Sequence, residues 1–251
     1  MQGLWSRHSV AFVLAAMLLP VVVADFLSRG LSLHLLVALA TVAFWQTVFR
    51  VKQGIPFTAS GAVIAVSFML FAAGELALWQ IALSVTFGVV LTELLFGGWG
   101  RNFLSAAVAA PAFAYLSFPD IVHPAPVLLV ALGAGLSGIL LLALGLIAWR
   151  ILFAAGLTTA VLFLAGLVPQ EALGALLFAA VFLLGDPVAA ASTHLGRLVY
   201  GALGAGLAGL FLASGFAVPQ ATIYAVFLAQ IFAPLLDQAA TSVHIYRRSN
   251  G

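Results

Sequence analysis

Ten apolar runs follow one another along this chain with almost no charge inside them, and no water-soluble fold accommodates that pattern. They lie near 9–26, 32–49, 57–74, 77–96, 103–118, 125–148, 151–168, 171–185, 198–215 and 219–240. A helix needs about 20 apolar residues to cross a bilayer, whereas a helix on the surface of a soluble domain keeps one polar face. Only 6% of the 251 residues are charged and 65% are apolar, against roughly a quarter and under a half in soluble domains. A soluble enzyme is therefore excluded. The pattern predicts an all-α integral membrane protein, a single transmembrane domain over 1–251 with little chain left outside the bilayer.

The basic residues test the span count independently. With a cytoplasmic N-terminus, Arg7, Arg50, Lys52, Arg101, Arg150, Arg197, Arg247 and Arg248 all fall on the cytoplasmic side and only Arg29 falls outside. A wrong count would scramble that bias. Asp25, Glu75, Asp120 and Glu171 mark the outer loops. Ten spans with both termini cytoplasmic follow. Arg7 and the apolar stretch to Ala24 resemble a signal peptide, but cleavage would remove one span and spoil the charge pattern, so this segment reads as a retained first helix.

Ten spans divide into five plus five, about 9–118 and about 125–240, and an odd number per half forces the second half to be inverted. The third span of each half, 57–74 and 171–185, is short or interrupted by polar residues, Thr58, Ser60, Gly61 and Ser67 in the first. That is the sequence mark of inverted repeats whose broken helices meet near the midplane. The fifth span of each half carries a proline, in Ala110-Pro111-Ala112-Phe113 and Ala233-Pro234-Leu235-Leu236.

Several chemistries drop out. The chain has no cysteine, so it forms no disulfide and holds no iron–sulfur cluster, thioether haem or cysteine zinc site. The net charge of +2 reports orientation, and without a basic run it does not bind nucleic acid. Residues 133–138 and 204–209 both fit G-x-G-x-x-G, but that fingerprint works between a strand and a helix in water; inside apolar spans the same spacing lets helix backbones approach closely. His8, His123, His194 and His244 lie at span ends or in loops, with His34 barely inside a span, and so do not reach a haem at membrane depth. Ser192-Thr193-His194 places a hydroxyl beside an imidazole, but triad groups converge from separate elements; the segment reads as a polar cytoplasmic loop.

Two features carry chemistry. Glu93, Asp186 and Asp237 sit at the cytoplasmic ends of the fourth, eighth and tenth spans, where an acid either lines an ion path or pairs at the interface, with Arg101 or Arg197 as the nearest candidates. No relay of midplane carboxylates is present. Gly97-Gly98-Trp99-Gly100-Arg101-Asn102 is a glycine-rich turn, either a tight reversal with a positive anchor or a cradle in which Arg101 and Asn102 meet an anion or a ring edge.

The stretch Leu183-Leu184-Gly185-Asp186-Pro187-Val188 through Thr193, Gly196 and Arg197 resembles the D-P-V-[ST]-x-x-x-T-x-x-G-[RQ] segment of a known family. That is the RnfD/NqrB family, which unites one membrane subunit of the Rnf electron-transport complex with one of the sodium-pumping NADH:quinone reductase. Tyr224 to Asp237 resembles its A-[FI]-L-L-x-N-x-x-x-P-L-I-D, with Ala229 or Gln230 at the asparagine position. Phe96 to Asn102 resembles its G-G-x-G-[RQ]-N-x-F-N-P-A, with Ser105 and Ala106 in place of the second Asn and the Pro. The resemblance implies two inverted five-helix repeats, as in urea-type channels, and a noncovalent flavin, riboflavin or FMN, near Gly97, Gly98, Arg101, Asn102 and Ser105. Family members often carry covalent FMN on a threonine between spans five and six. The corresponding loop here, Pro119 to Pro124, contains no threonine, so covalent FMN is not expected.

The expected function is that of an integral membrane subunit of a redox complex, moving electrons across or within the membrane and coupled to ion movement. Other membrane subunits, and a partner bearing its own flavin or cluster, are implied. Two alternatives stand beside it: a channel or transporter for a small solute lined by Thr58, Ser60 and Ser67, and a membrane anchor for an extracytoplasmic flavoprotein.

Overall fold

The computed structural model describes residues 6–30, 32–72, 74, 76–118 and 128–249, with backbone alone for Arg29 and 243–249. The outer acids Glu75 and Asp120, His123 and the loop at 119–124 lie outside the described residues. All regular structure among the described residues is helical: α1 (Arg7–Ala16), α2 (Leu19–Arg29), α3 (Leu33–Gln53), α4 (Ser60–Phe71), α5 (Leu78–Gly88), α6 (Ala106–Ser117), α7 (Leu128–Ala143), α8 (Trp149–Leu164), α9 (Ala172–Phe178), α10 (His194–Ala213) and α11 (Val218–Ser249). Two of them end in π-helical turns, α5 in Val89–Leu94 and α9 in Ala179–Leu184.

Among the described residues, four stretches are long and apolar enough to cross a membrane: Arg7–Ser28, Leu33–Gln53, His194–Ala213 and Val218–Ser242. The others are shorter. α4 and α6 have 12 residues each, or about 18 Å at 1.5 Å per residue, well short of a hydrocarbon core of roughly 30 Å. The shortness expected at 57–74 and 171–185 is present, and α6 shares it.

Prolines set the breaks. Pro20 brings no N–H and crowds the preceding turn, so the first span divides between Ala16 and Leu19. The Ser137 hydroxyl of α7 reaches across to the Met17 carbonyl at 2.6 Å. Pro111, inside α6, leaves the Ala107 carbonyl without its helical donor, and the Ser67 hydroxyl of α4 supplies one at 2.7 Å. The carbonyl end of the short α4 is met by the Tyr115 hydroxyl, which donates to Phe71. α3 stops at Gly54, whose φ of 70° suits only glycine, with Arg50 and Lys52 in the last turn where the helix dipole favours cations.

Small residues set the packing. A Cβ added to Gly133 would lie 2.9 Å from the Pro20 carbonyl oxygen, and one on Gly209 would lie 2.6 Å from the Leu162 side chain. Both G-x-G-x-x-G stretches are therefore helix-packing seams, α7 against α2 and α10 against α8. Within the first half α1 packs on α4, α3 on α5 and α5 on α6; within the second, α7 packs on α9, α8 on α10 and α10 on α11. The α2–α7 and α6–α11 contacts join the halves. The outward faces are apolar, with Leu164 85%, Leu128 75% and Phe12 68% exposed, a surface that lipid covers and water does not.

Candidate functional site

The ends of the short helices leave backbone polar groups that no regular ladder absorbs, and the buried polar side chains of the chain gather there. Gln46, in the middle of α3, donates from Nε2 to the Thr58 hydroxyl at 3.4 Å and accepts from the Thr58 amide at 3.4 Å. Thr58 Oγ1 lies 2.8 Å from the Ser60 hydroxyl at the start of α4, and Ser60 donates to Glu93 Oε1 at 3.2 Å. A hydrogen-bonded chain thus runs from α3 through the N-terminus of α4 to the π-helical end of α5.

Asp186 approaches from the other half. It follows the π-helical end of α9 by two residues and accepts from the Val188 amide at 2.9 Å, with the Ser105 hydroxyl and the Ala189 amide near enough to favour its charged form. Glu93 is 2% exposed and Asp186 8%. Together with Ser60, Ser105 and Trp99 they line one void of about 20 Å³, room for roughly one water molecule. Burial pushes the Asp186 carboxyl above its ordinary range, and its hydrogen bonds pull it back only in part. Two carboxylates from the two halves of the chain therefore share one small buried pocket.

The pocket is tied together from α11. The fully buried Gln230 donates from Nε2 to the Leu183 carbonyl at 2.9 Å and accepts from the Ser105 amide at 3.0 Å. The hydroxyl of Tyr200, also fully buried, sits beside Gln230 and Asp186.

Asp237 stands apart. Its carboxylate accepts from the amide and hydroxyl of Ser192 at 2.7 and 2.8 Å, and from those of Thr193 at 2.9 and 2.6 Å. Thr193 in turn caps α10. The interfacial pairing anticipated for Asp237 is thus to hydroxyls and amides; Arg197 turns its Nε to the Ala191 carbonyl instead. Ser192-Thr193-His194 serves as the clamp and cap at this helix start.

The glycine-rich turn does not form a cradle. Gly97, Gly98 and Gly100 all have φ above 90°, which makes the sharp reversal, but Gly97 faces Arg101, Gly98 faces Ile55 and Gly100 faces Arg7. Asn102 spends its carboxamide on its own turn, accepting from the Gly100 amide and donating to the Leu104 carbonyl. Ser105 is committed to Gln230 and Asp186. An isoalloxazine ring does not fit among these residues as packed, since the Asn102 carboxamide and the Ser105 amide are already paired and the adjoining void holds about 20 Å³. Arg101 alone of the five is exposed. Ser67, foreseen as channel lining, is instead bonded to the Ala107 carbonyl.

Of the sequence-derived residues, Glu93, Asp186 and Ser105 converge; Gly97, Gly98, Arg101 and Asn102 form the turn between Glu93 and Ser105, and Asp237 lies apart at the start of α10. Gln46, Gln230 and Tyr200 were not singled out as site residues. The available signal was a glutamine in the middle of an apolar span: a carboxamide in a membrane helix needs a partner on another helix.

A model of the NQR2, RnfD, RnfE family matches residues 5–127 and 127–245. Among curated proteins, the chain is similar to one subunit of the Na(+)-translocating NADH-quinone reductase, NqrB, from several bacteria. That of Chromohalobacter salexigens is 29% identical over 85% of this chain and 66% of its own length. That of Yersinia pestis is 26% identical over 93% and 68%, and that of Pseudomonas paraeruginosa 27% identical over 89% and 71%. The chain thus spans about two thirds of the length of these relatives.

Proposed function

Because the chain belongs to the NQR2, RnfD, RnfE family, we propose that it is an integral membrane subunit of a redox-driven electron-transport complex coupled to ion translocation. The relatives are by name subunits of a sodium-translocating oxidoreductase. Within this chain the observation that carries the reading is the shared void of Glu93 and Asp186. Buried acids in apolar surroundings are costly, and proteins keep them on ion and proton paths. Asp237 serves that path from outside, by holding the segment that follows Asp186.

On this reading ten helices cross the membrane as two inverted five-helix repeats, with both termini cytoplasmic. The order of packing supports it: α1–α4, α3–α5 and α5–α6 in the first half recur as α7–α9, α8–α10 and α10–α11 in the second. The starts of α4 and α6 and the ends of α5 and α9 would all face the cytoplasm, the side on which the acid pocket then lies.

A partner subunit bearing its own flavin or cluster completes the electron path on this reading. The exposed Arg101 of this chain offers a cationic contact on the side where such a partner would dock. The test uses the complex isolated with this chain and reconstituted into vesicles. Substitution of Glu93→Gln or Asp186→Asn is expected to lower redox-driven ion uptake at least tenfold while the chain still co-purifies with flavin- or cluster-bearing subunits. Undiminished uptake in both variants, or purification without any redox partner, would overturn the proposal.

A further inference from the structure

Asp186 and Ser105 come from segments 81 residues apart and line the same small void, where the Ser105 hydroxyl lies toward the Asp186 carboxyl. Nothing in either segment alone determines their separation. Gln230 bonds both: its carbonyl oxygen accepts the Ser105 amide and its amide donates to the carbonyl of Leu183, three residues before Asp186. Across the void that they line together, the Ser105 hydroxyl faces the Asp186 carboxyl.

We propose that Gln230 is a positioning residue for the acid pocket, acting through Ser105: its carboxamide sets the spacing between the start of α6 and the end of the π-helical turn of α9, and so delivers the Ser105 hydroxyl to Asp186. A carboxamide suits the task because it is neutral and carries a donor and an acceptor on one planar group. It thereby satisfies an amide at one helix start and a carbonyl at one helix end without adding a charge to a pocket that already holds two acids. A methionine of similar length does neither. α11 is the element that can do this, since it packs on both α6 and the π-helical turn of α9.

The groups facing Asp186 are Glu93 from the end of α5, Ser105 from α6 and Tyr200 from α10. Arg150 and Arg197 line a separate cleft behind Gly185 and Pro187. None of these replaces Gln230 as a bridge between Ser105 and Leu183. The proposal takes the pocket from the functional reading above but rests on its geometry, so its test needs neither electron transfer nor ion flux.

The test reads the infrared carbonyl stretch of Asp186 at a pH low enough to protonate it, identified by its disappearance in Asp186→Asn, in the protein purified with its accompanying subunits. Gln230→Met is expected to move that band to higher wavenumber, because the carboxyl loses the Ser105 hydroxyl. Amide exchange at Ser105 should rise roughly tenfold or more, the equivalent of about 1.4 kcal/mol of lost protection. Ser105→Ala should move the band alike while leaving the Ser105 amide protected. Adding Gln230→Met to Ser105→Ala should move it no further, since the two act in series. Gln230→Asn, which keeps the carboxamide one methylene short, should give a smaller shift and still fold if the methionine variant does not. Ser137→Ala, which removes a buried hydrogen bond elsewhere, should leave the band in place. An unmoved Asp186 band in a folded Gln230→Met or Gln230→Asn protein would overturn the proposal, as would additive shifts in the double variant. Unimpaired ion uptake in Asp186→Asn, by contrast, would sink the functional reading and leave this one standing.

Discussion

The Ala107 carbonyl shows how single residues in this chain answer to one another across helices. Pro111 removes its helical donor and Ser67 replaces it, so neither residue can be judged alone. Ser67→Ala is expected to cost about 0.6–2 kcal/mol, the range of interhelical hydrogen bonds in membranes, read as a lower midpoint of denaturant unfolding in detergent. In a Pro111→Ala background, where residue 111 again offers an N–H, the same change should cost clearly less; equal costs would show that the serine does not serve that carbonyl. Asp237 is a second case. Its four bonds to Ser192 and Thr193 hold the start of α10, so Asp237→Ala should speed amide exchange across 191–196 and destabilise by roughly 1–2 kcal/mol. Unchanged exchange there would contradict the clamp. Both roles are invisible in sequence, because Ser67 and Asp237 lie 40 and 44 residues from the groups they bond, and no local pattern links them.

At the scale of elements, the glycines of α10 differ although their spacing makes them look alike. A Cβ on Gly204 would lie 2.8 Å from Leu184 and one on Gly209 2.6 Å from Leu162, while Gly206 has nothing within 4 Å. Gly204→Val and Gly209→Val should each lower the thermal midpoint, at a cost of roughly 1–3 kcal/mol for overpacking. Gly206→Val should be near neutral, and a uniform response at all three sites would refute the seam. The existence of the helices, their approximate ends and the weakness of the third span in each half were legible from hydropathy and polar punctuation. Their lengths were less so. α6 is as short as α4, yet its sequence reads as an ordinary span because Phe103, Leu104 and Phe118 extend the apolar run beyond the helix. The π-helical ends of α5 and α9 also escaped notice, since an apolar residue serves equally in either helix.

For the whole molecule, the absence of cysteine makes the proposed ten-span topology directly testable. Single cysteines at Gly54, Gly100 and Ser192 should react with a membrane-impermeant thiol reagent only when the cytoplasmic side is open to it, and cysteines at Gly30, Gln170 and Gly215 from the outer side. Any mixing of the two sets would break the five-plus-five arrangement. Hydropathy suffices to put this chain in a bilayer, because lipid exposure acts on each segment by itself and leaves its mark residue by residue. The motifs around Gly97 and Asp186 likewise pointed to the region where the site would form. What they could not convey was which groups meet: that Glu93 and Asp186 share a void, that Asp237 does not join them, that the glycine turn is filled by its own side chains, and that Gln230 bridges Ser105 and Leu183. Those are decided by tertiary packing alone. A buried polar group must find a partner wherever the fold brings one within reach, and that distance is set by how the helices cross rather than by their order in the chain.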